Sequence, residues 1–180
     1  MKRHAYEVPG WGVCELWSDG ERVIEHGLVS LSRGDARAHG PGCSPKGTPA
    51  SPENTLSQAA ASSGDGFVPD LCRLVHRFLA GEPVDPSGVP LDLDWCTSFQ
   101  RAVIDTLRSI PRGEVVSYGE LAALAGAPGA ARAAGTVCAQ NRFWLFVPCH
   151  RVVAADGIGG YGSSGVALKR RLLALEGIRL

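Results

Sequence analysis

The chain has 180 residues, 44% of them hydrophobic and 20% charged, and its 18 basic and 18 acidic side chains give a formal net charge of zero. This describes a soluble globular protein of one large or two small domains, long enough to bury a real core. No apolar run approaches a helical membrane span, and no signal-peptide core follows the first residues. The six cysteines (14, 43, 72, 96, 138 and 149) form neither a Cys-x-x-Cys pair nor a dense disulfide framework. A reducing, intracellular compartment is expected, in which a reactive thiol survives.

The zero net charge conceals a split. Residues 1–96 carry 8 Lys/Arg and 13 Asp/Glu, a net of −5, whereas residues 97–180 carry 10 and 5, a net of +5. A basic half points to a polyanionic partner, although charge alone does not decide this.

In chain order, residues 11–31 read as a β-hairpin. Val13, Leu16, Trp17, Val23, Ile24, Leu28 and Val29 supply strand formers, and Ser18-Asp19-Gly20-Glu21 supplies the turn. Residues 32–66 are rich in Gly, Pro, Ser and Ala and read as a flexible surface excursion. The spacing of Cys14, His26 and Cys72 fits no standard zinc pattern, and packing roles are expected for Cys14, Cys72 and Cys96. Asp70 is expected to cap a helix with Leu71, Leu74, Val75, Phe78 and Leu79 on one face, ended by Gly81. Residues 84–95 form an extended, proline-bearing connection, so the expected domains are 1–94 and 95–180.

Thr97-Ser98-Phe99-Gln100 has the form of a capping box, opening a helix that buries Phe99, Val103, Leu107 and Ile110 and stops at Pro111-Arg112-Gly113. A second box, Ser117-Tyr118-Gly119-Glu120, opens a short helix through Ala125. Residues 126–129 turn the chain into another helix over 130–139, the arrangement of a helix-turn-helix. That last helix is nearly bare of long side chains except Arg132, so it can approach a groove floor closely. Alanine is also simply the best helix former, and many such pairs bind nothing.

The most informative stretch is Phe146-Val147-Pro148-Cys149-His150-Arg151-Val152-Val153. It reads as a buried strand interrupted by Pro148, which lacks an N–H and fixes its own φ, holding Cys149 in one orientation. His150, directly or through one water, can take the thiol proton and leave the nucleophilic thiolate.

Residues from about Leu71 to Leu180 resemble the O6-alkylguanine-DNA alkyltransferases, also called methylated-DNA–protein-cysteine methyltransferases. The resemblance rests on Gly113-Glu114-Val115-Val116-Ser117-Tyr118 through Leu124-Ala125-Gly126, on Ala130-Ala131-Arg132-Ala133, on Asn141, on Pro148 through Val153, and on Leu172 through Gly177. It implies an α/β (α+β) fold: a small ribonuclease H-like N-terminal domain and a helical C-terminal domain of the winged helix-turn-helix type. The implied activity is direct, stoichiometric transfer of an alkyl group from O6-alkylguanine in double-stranded DNA to Cys149, a single-turnover S-methyltransferase reaction. O4-alkylthymine stays open as a second substrate. No cofactor and no metal are implied, and the protein is expected to be a monomer away from membranes, in the bacterial cytoplasm or a eukaryotic nucleus.

By the same resemblance, Cys149 is the acceptor, His150 the base acting through water, and Glu176 the carboxylate orienting it. Asn141 braces the active-site loop. Tyr118 crowds the adjacent phosphate and contacts the flipped base, and Arg132 fills the space of the extruded guanine. Ala131, Ala133 and Gly135 face the DNA beside it. The backbone carbonyls of Cys149 and Val152 read the guanine amine, and the backbone N–H of Ser163 meets O6. Two departures stand out: Asn141 is followed by Arg142-Phe143-Trp144 where the family commonly has proline, and Tyr161 comes one position before the family's usual aromatic. Two other readings are an alkylated-DNA-binding module without catalysis, against which Cys149 argues, and a cysteine hydrolase, which leaves Arg132 without a purpose.

Overall fold

The structure, a computed structural model, describes residues 1–29 and 66–180. It is a mixed α/β chain divided into two compact units, Met1–Asp92 and Leu93–Leu180. The end of the expected hairpin and all but Gly66 of the expected excursion lie outside the described residues.

In the first unit the expected hairpin is part of a three-stranded antiparallel meander, β1 (Lys2–Val8), β2 (Gly12–Ser18) and β3 (Val23–Val29). The extra strand begins with polar residues, so only Tyr6 and Val8 show the inward alternation of a half-buried strand. Tyr6 pairs with Cys14 and Leu16 with His26, which places a buried tyrosine–histidine pair across the sheet, Tyr6 Oη to His26 Nε2 at 2.9 Å. Burial pulls His26 down to about 3 and pushes the Cys14 thiol up to about 12.

Helix α1 (Phe67–Leu79) starts earlier than expected. Its N-cap is Gly66, and Asp70 lies in the first turn, where its carboxylate pairs with Arg73. Pro69 falls within the first turn, where no intrahelical N–H bond is required, so it does not break the helix. The first helical bond runs from Asp70 N–H to the Gly66 carbonyl, 3.0 Å. Phe67, Leu71, Cys72, Val75, Phe78 and Leu79 form the buried face, and Gly81 ends the helix with φ +87°.

The second unit opens with α2 (Ser98–Ser109), whose capping box is formed by Thr97 and Gln100 in both directions. Its buried residues Val103, Ile104 and Leu107 anchor the core of this unit. β4 (Val116–Ser117) leads into α3 (Tyr118–Leu124), again with both bonds of a capping box, between Ser117 and Glu120. α4 (Ala131–Ala139) packs against α3. β5 (Val152–Val153) pairs parallel with β4, and α5 (Gly165–Leu175) closes the unit.

The stretch around Cys149 is not the interrupted strand expected from its apolar run. Residues Trp144–Phe146 and Cys149–Arg151 are single 3₁₀ turns, and only Val152–Val153 is strand. Pro148, at φ −78° and ψ 61°, is the centre of an inverse γ-turn closed by Cys149 N–H to the Val147 carbonyl, 2.8 Å. Arg151 N–H then returns to the Pro148 carbonyl at 2.9 Å. The proline therefore coils the chain as well as interrupting a ladder.

Candidate active site

Cys149 lies almost fully buried at the start of the second 3₁₀ turn. Asn141, two residues beyond the end of α4, points its amide at it. Asn141 Nδ2 is 3.1 Å from the Cys149 sulfur, 2.8 Å from the Val147 carbonyl and 3.4 Å from the Trp144 carbonyl. Its Oδ1 accepts from Phe143 N–H at 2.9 Å, which fixes the amide's orientation. One side chain thus ties the end of α4 to both turns and to the thiol.

His150 and Arg151 are fully buried and meet Glu176. His150 Nε2 lies 2.9 Å from Glu176 Oε1, and Arg151 donates from Nε and Nη2 to the same carboxylate at 2.9–3.2 Å. Arg151 Nη1 donates to the Ile110 carbonyl at 2.7 Å, and Gly113 N–H lies 3.3 Å from Glu176 Oε2. Burial works to raise the Glu176 carboxyl, but the hydrogen bonds and charges of His150 and Arg151 overcome it and hold it at about 2. An ionised carboxylate only accepts, so Nε2 of His150 carries a hydrogen and Nδ1 is the basic nitrogen.

The position of Glu176 comes from backbone geometry. It is the C-cap of α5, in a Schellman motif in which Ile178 N–H bonds to the Leu173 carbonyl at 2.9 Å and Gly177 N–H to the Ala174 carbonyl at 3.1 Å. Gly177 supplies the left-handed residue, φ +86°. Arg112 Nη2 caps the Leu175 carbonyl at 2.6 Å.

Lys169, on α5, is fully buried, with Nζ 2.6 Å from the Ile158 carbonyl and 3.0 Å from the Gly160 carbonyl. Its Nζ also stands 5.9 Å from the centre of the Tyr118 ring. Burial pushes the Cys149 thiol up. The Asn141 and Tyr161 side chains and the Lys169 charge pull it back toward ionisation. Burial also lowers Lys169 and raises Tyr118. The arrangement is a shielded thiol with a hydrogen-bond donor on its sulfur, a nearby cation and an adjacent histidine backed by an ionised carboxylate, suited to making a thiolate on demand.

A family model described as "6-O-methylguanine DNA methyltransferase, DNA binding domain" matches residues 98–178. A methylated-DNA–protein-cysteine methyltransferase of Methanopyrus kandleri is 41% identical over 69% of this chain and 94% of its own length. The chain belongs to the methylated-DNA–protein-cysteine methyltransferase family. A second member, from Methanothermobacter thermautotrophicus, is 45% identical over 59% of this chain, and the match spans only 59% of that relative's length. The solved structure of Mycobacterium tuberculosis OGT in complex with DNA superposes with a TM-score of 0.70 at 31% identity, covering 98% of this chain and 93% of that one.

Against this family background, the fold brings Cys149, His150, Glu176 and Asn141 into one cluster. Tyr118 stands beside it, half-buried against α4, where a Cβ on Gly135 would meet its ring at 3.6 Å. Gly135 therefore turns toward Tyr118, while Arg132 and Ala133 are exposed and Ala131 is half-buried. The Cys149 carbonyl accepts from Val152 N–H, Val152 itself is buried in β5, and Ser163 is exposed in the loop before α5. Sequence reasoning missed Arg151 and Lys169 as buried site charges, and it missed the direct contact of Asn141 with sulfur. Among the described residues no group of three or more His, Cys, Asp or Glu side chains is placed to hold a metal ion.

Proposed function

We propose that the protein repairs DNA by transferring an alkyl group, methyl above all, from O6-alkylguanine in a duplex to the Cys149 sulfur. The observation that carries this reading is the Asn141–Cys149 contact beside the buried His150–Glu176 pair. His150 Nδ1 takes the thiol proton through a water, and Glu176 and Asn141 hold the two partners in place. The thiolate then attacks the alkyl carbon in line. The S–C bond forms as the C–O6 bond breaks, the electron pair passes to the purine, and the restored guanine takes up a proton. The product is a thioether with no carbonyl for water to attack, so each molecule reacts once.

A thiolate this deep cannot reach O6 inside an intact stack, so the nucleotide must be extruded. In this reading Arg132, exposed in the first turn of α4, fills the vacated space. Tyr118 contacts the flipped base, Ala131 and Ala133 let the helix approach the groove, and the backbone of Cys149, Val152 and Ser163 reads the guanine edge. The helix pair α3–α4 then acts as a winged helix-turn-helix, and the first unit is of the ribonuclease H-like kind. The protein works as a monomer in the compartment that holds the DNA.

Intact-protein mass spectrometry after incubation with duplex DNA containing O6-methylguanine tests the proposal. Wild type should gain one methyl group, mapped to Cys149, and Cys149→Ala should gain none while still binding the alkylated duplex. Methyl transfer to another cysteine in that variant, or none in wild type, would refute it.

A further inference from the structure

The corner that carries Asn141 is braced from outside the active site. Trp95 stands two residues before the Thr97 cap of α2, in a turn closed by Cys96 N–H to the Leu93 carbonyl at 3.0 Å. Arg101, on α2, donates from Nη2 to the same carbonyl at 2.6 Å, so the indole is presented from a fixed base. Trp95 is 40% exposed, and two consecutive residues of the loop after α4 meet its ring. The Arg142 guanidinium lies over it, 4.4 Å from the centroid, and the buried Phe143 ring stacks with it at 6.5 Å and an interplanar angle of 25°. Trp95, Asn141, Arg142 and Phe143 line one crevice between α2 and the end of α4.

This loop needs a brace for two reasons. The terminal torsion of an asparagine side chain is broad, so neighbours must set its direction. Asn141 takes its direction from Phe143, whose N–H donates to Oδ1 at 2.9 Å and leaves Nδ2 for the Cys149 sulfur at 3.1 Å. The next residue, Trp144, is the one non-glycine residue with positive φ, +29°, among the described residues. Such a backbone persists only where its surroundings hold it.

We propose that Trp95 is a positioning residue for the reaction, its ring holding Arg142 and Phe143 so that the Asn141 amide stays on the Cys149 sulfur. The inference rests on the reading of Cys149 as the nucleophile. Trp95 carries no charge and acts through packing: the face of its ring attracts the guanidinium, and Phe143 adds an aromatic contact. Releasing both frees the Phe143 N–H, and with it the amide that favours the thiolate.

The test compares wild type, Trp95→Ala and Trp95→Phe, each checked by thermal melt, and repeats Trp95→Ala in an Asn141→Ala background. The rate of Cys149 alkylation by iodoacetamide is read on the Cys149 peptide by mass spectrometry, from neutral to alkaline pH. Trp95→Ala should slow it about fivefold at neutral pH, the scale of an exposed cation–π contact and an aromatic pair. The gap should close at alkaline pH, where the thiol ionises without help. Trp95→Phe keeps an aromatic face and should restore most of the rate. With Asn141 already replaced, Trp95→Ala should change nothing further. Coincident profiles for wild type and Trp95→Ala, an equal fall at every pH, or the same fall in the Asn141→Ala background would overturn the proposal. A Trp95→Phe variant as slow as Trp95→Ala would overturn the stacking role, and that comparison decides even if Asn141→Ala does not fold. If wild type reacts with iodoacetamide but takes no methyl group from DNA, the function proposed above fails while the Trp95 comparison still stands.

Discussion

The Asn141 amide lies 3.1 Å from the Cys149 sulfur and 2.8 Å from the Val147 carbonyl, so one NH₂ group serves both the nucleophile and the loop that carries it. Because Oδ1 is occupied by Phe143 N–H, the amide cannot flip without losing four contacts. It presents a donor to the sulfur in both the thiol and thiolate forms.

Asn141→Asp keeps the shape and replaces that donor with a carboxylate facing the sulfur. The thiol should become harder to ionise and the single-turnover rate at neutral pH should fall about a hundredfold, the scale of a charge-assisted hydrogen bond lost and a repulsion gained. Rates at or above one-tenth of wild type in a folded variant would show that the contact is incidental.

Glu176→Gln removes the charge that balances buried Arg151. Breaking a buried pair on one side costs about 3–5 kcal/mol, which for a chain of this size lowers the melting temperature by roughly 10 °C. Transfer at neutral pH should also slow, with partial recovery at alkaline pH as the thiol ionises unaided. Adding Arg151→Met should restore most of the stability and none of the rate. A double variant that recovers neither would mean that Glu176 positions the loop through Gly113 alone.

Acid should act on the first unit before it acts on the active site. Burial holds folded His26 at about 3, below the unfolded value of about 6.5, so the unfolded chain binds a proton first as pH falls. The stabilisation is complete above about pH 6.5 and declines toward pH 3, a loss of about 2 kcal/mol by pH 5. Glu176, held at about 2 against a usual 4.5, contributes the same sign in a lower window: full above about pH 4.5 and lost as pH falls toward 2. His76, on α1 against Tyr6, is also lowered by burial and adds to the upper window. Melting temperatures of wild type and His26→Gln should therefore diverge between pH 6.5 and 5, the variant varying less. Parallel curves would remove His26 as the cause.

Arg132→Ala should slow methyl removal from duplex DNA far more than reaction with free O6-benzylguanine, because the free base needs no extrusion. Single-turnover rates on the two substrates decide it. Equal slowing would assign Arg132 to the pocket instead of the stack.

Local chemistry was legible in the sequence wherever it is local in the fold. Both capping boxes, Thr97 with Gln100 and Ser117 with Glu120, form as their spacing implies, because each closes within four residues. The motif around Cys149, with Asn141 and Glu176, marked the site before any geometry. The turns at Cys149 were not legible, since a short apolar run fits a strand or a buried coil equally well. Arg151 and Lys169 were missed for another reason. A buried charge is tolerable only beside its partner, and their partners, Glu176 for one and the carbonyls of Ile158 and Gly160 for the other, are set by tertiary packing. Asp70 failed as a cap because Pro69 fits inside the first turn as readily as before it.

The Schellman ending at Gly177 turns α5 into a ruler. Glu176 takes its direction from the last turn of the helix, while Lys169 pins the same helix to the loop carbonyls seven residues earlier. Each residue in an α-helix advances the direction by about 100°. One residue inserted or deleted between Lys169 and Glu176 would swing the carboxylate away from His150 and Arg151, even though every side chain in the cluster remained present. Between that lysine and that glutamate, a change in length alone should therefore silence the site.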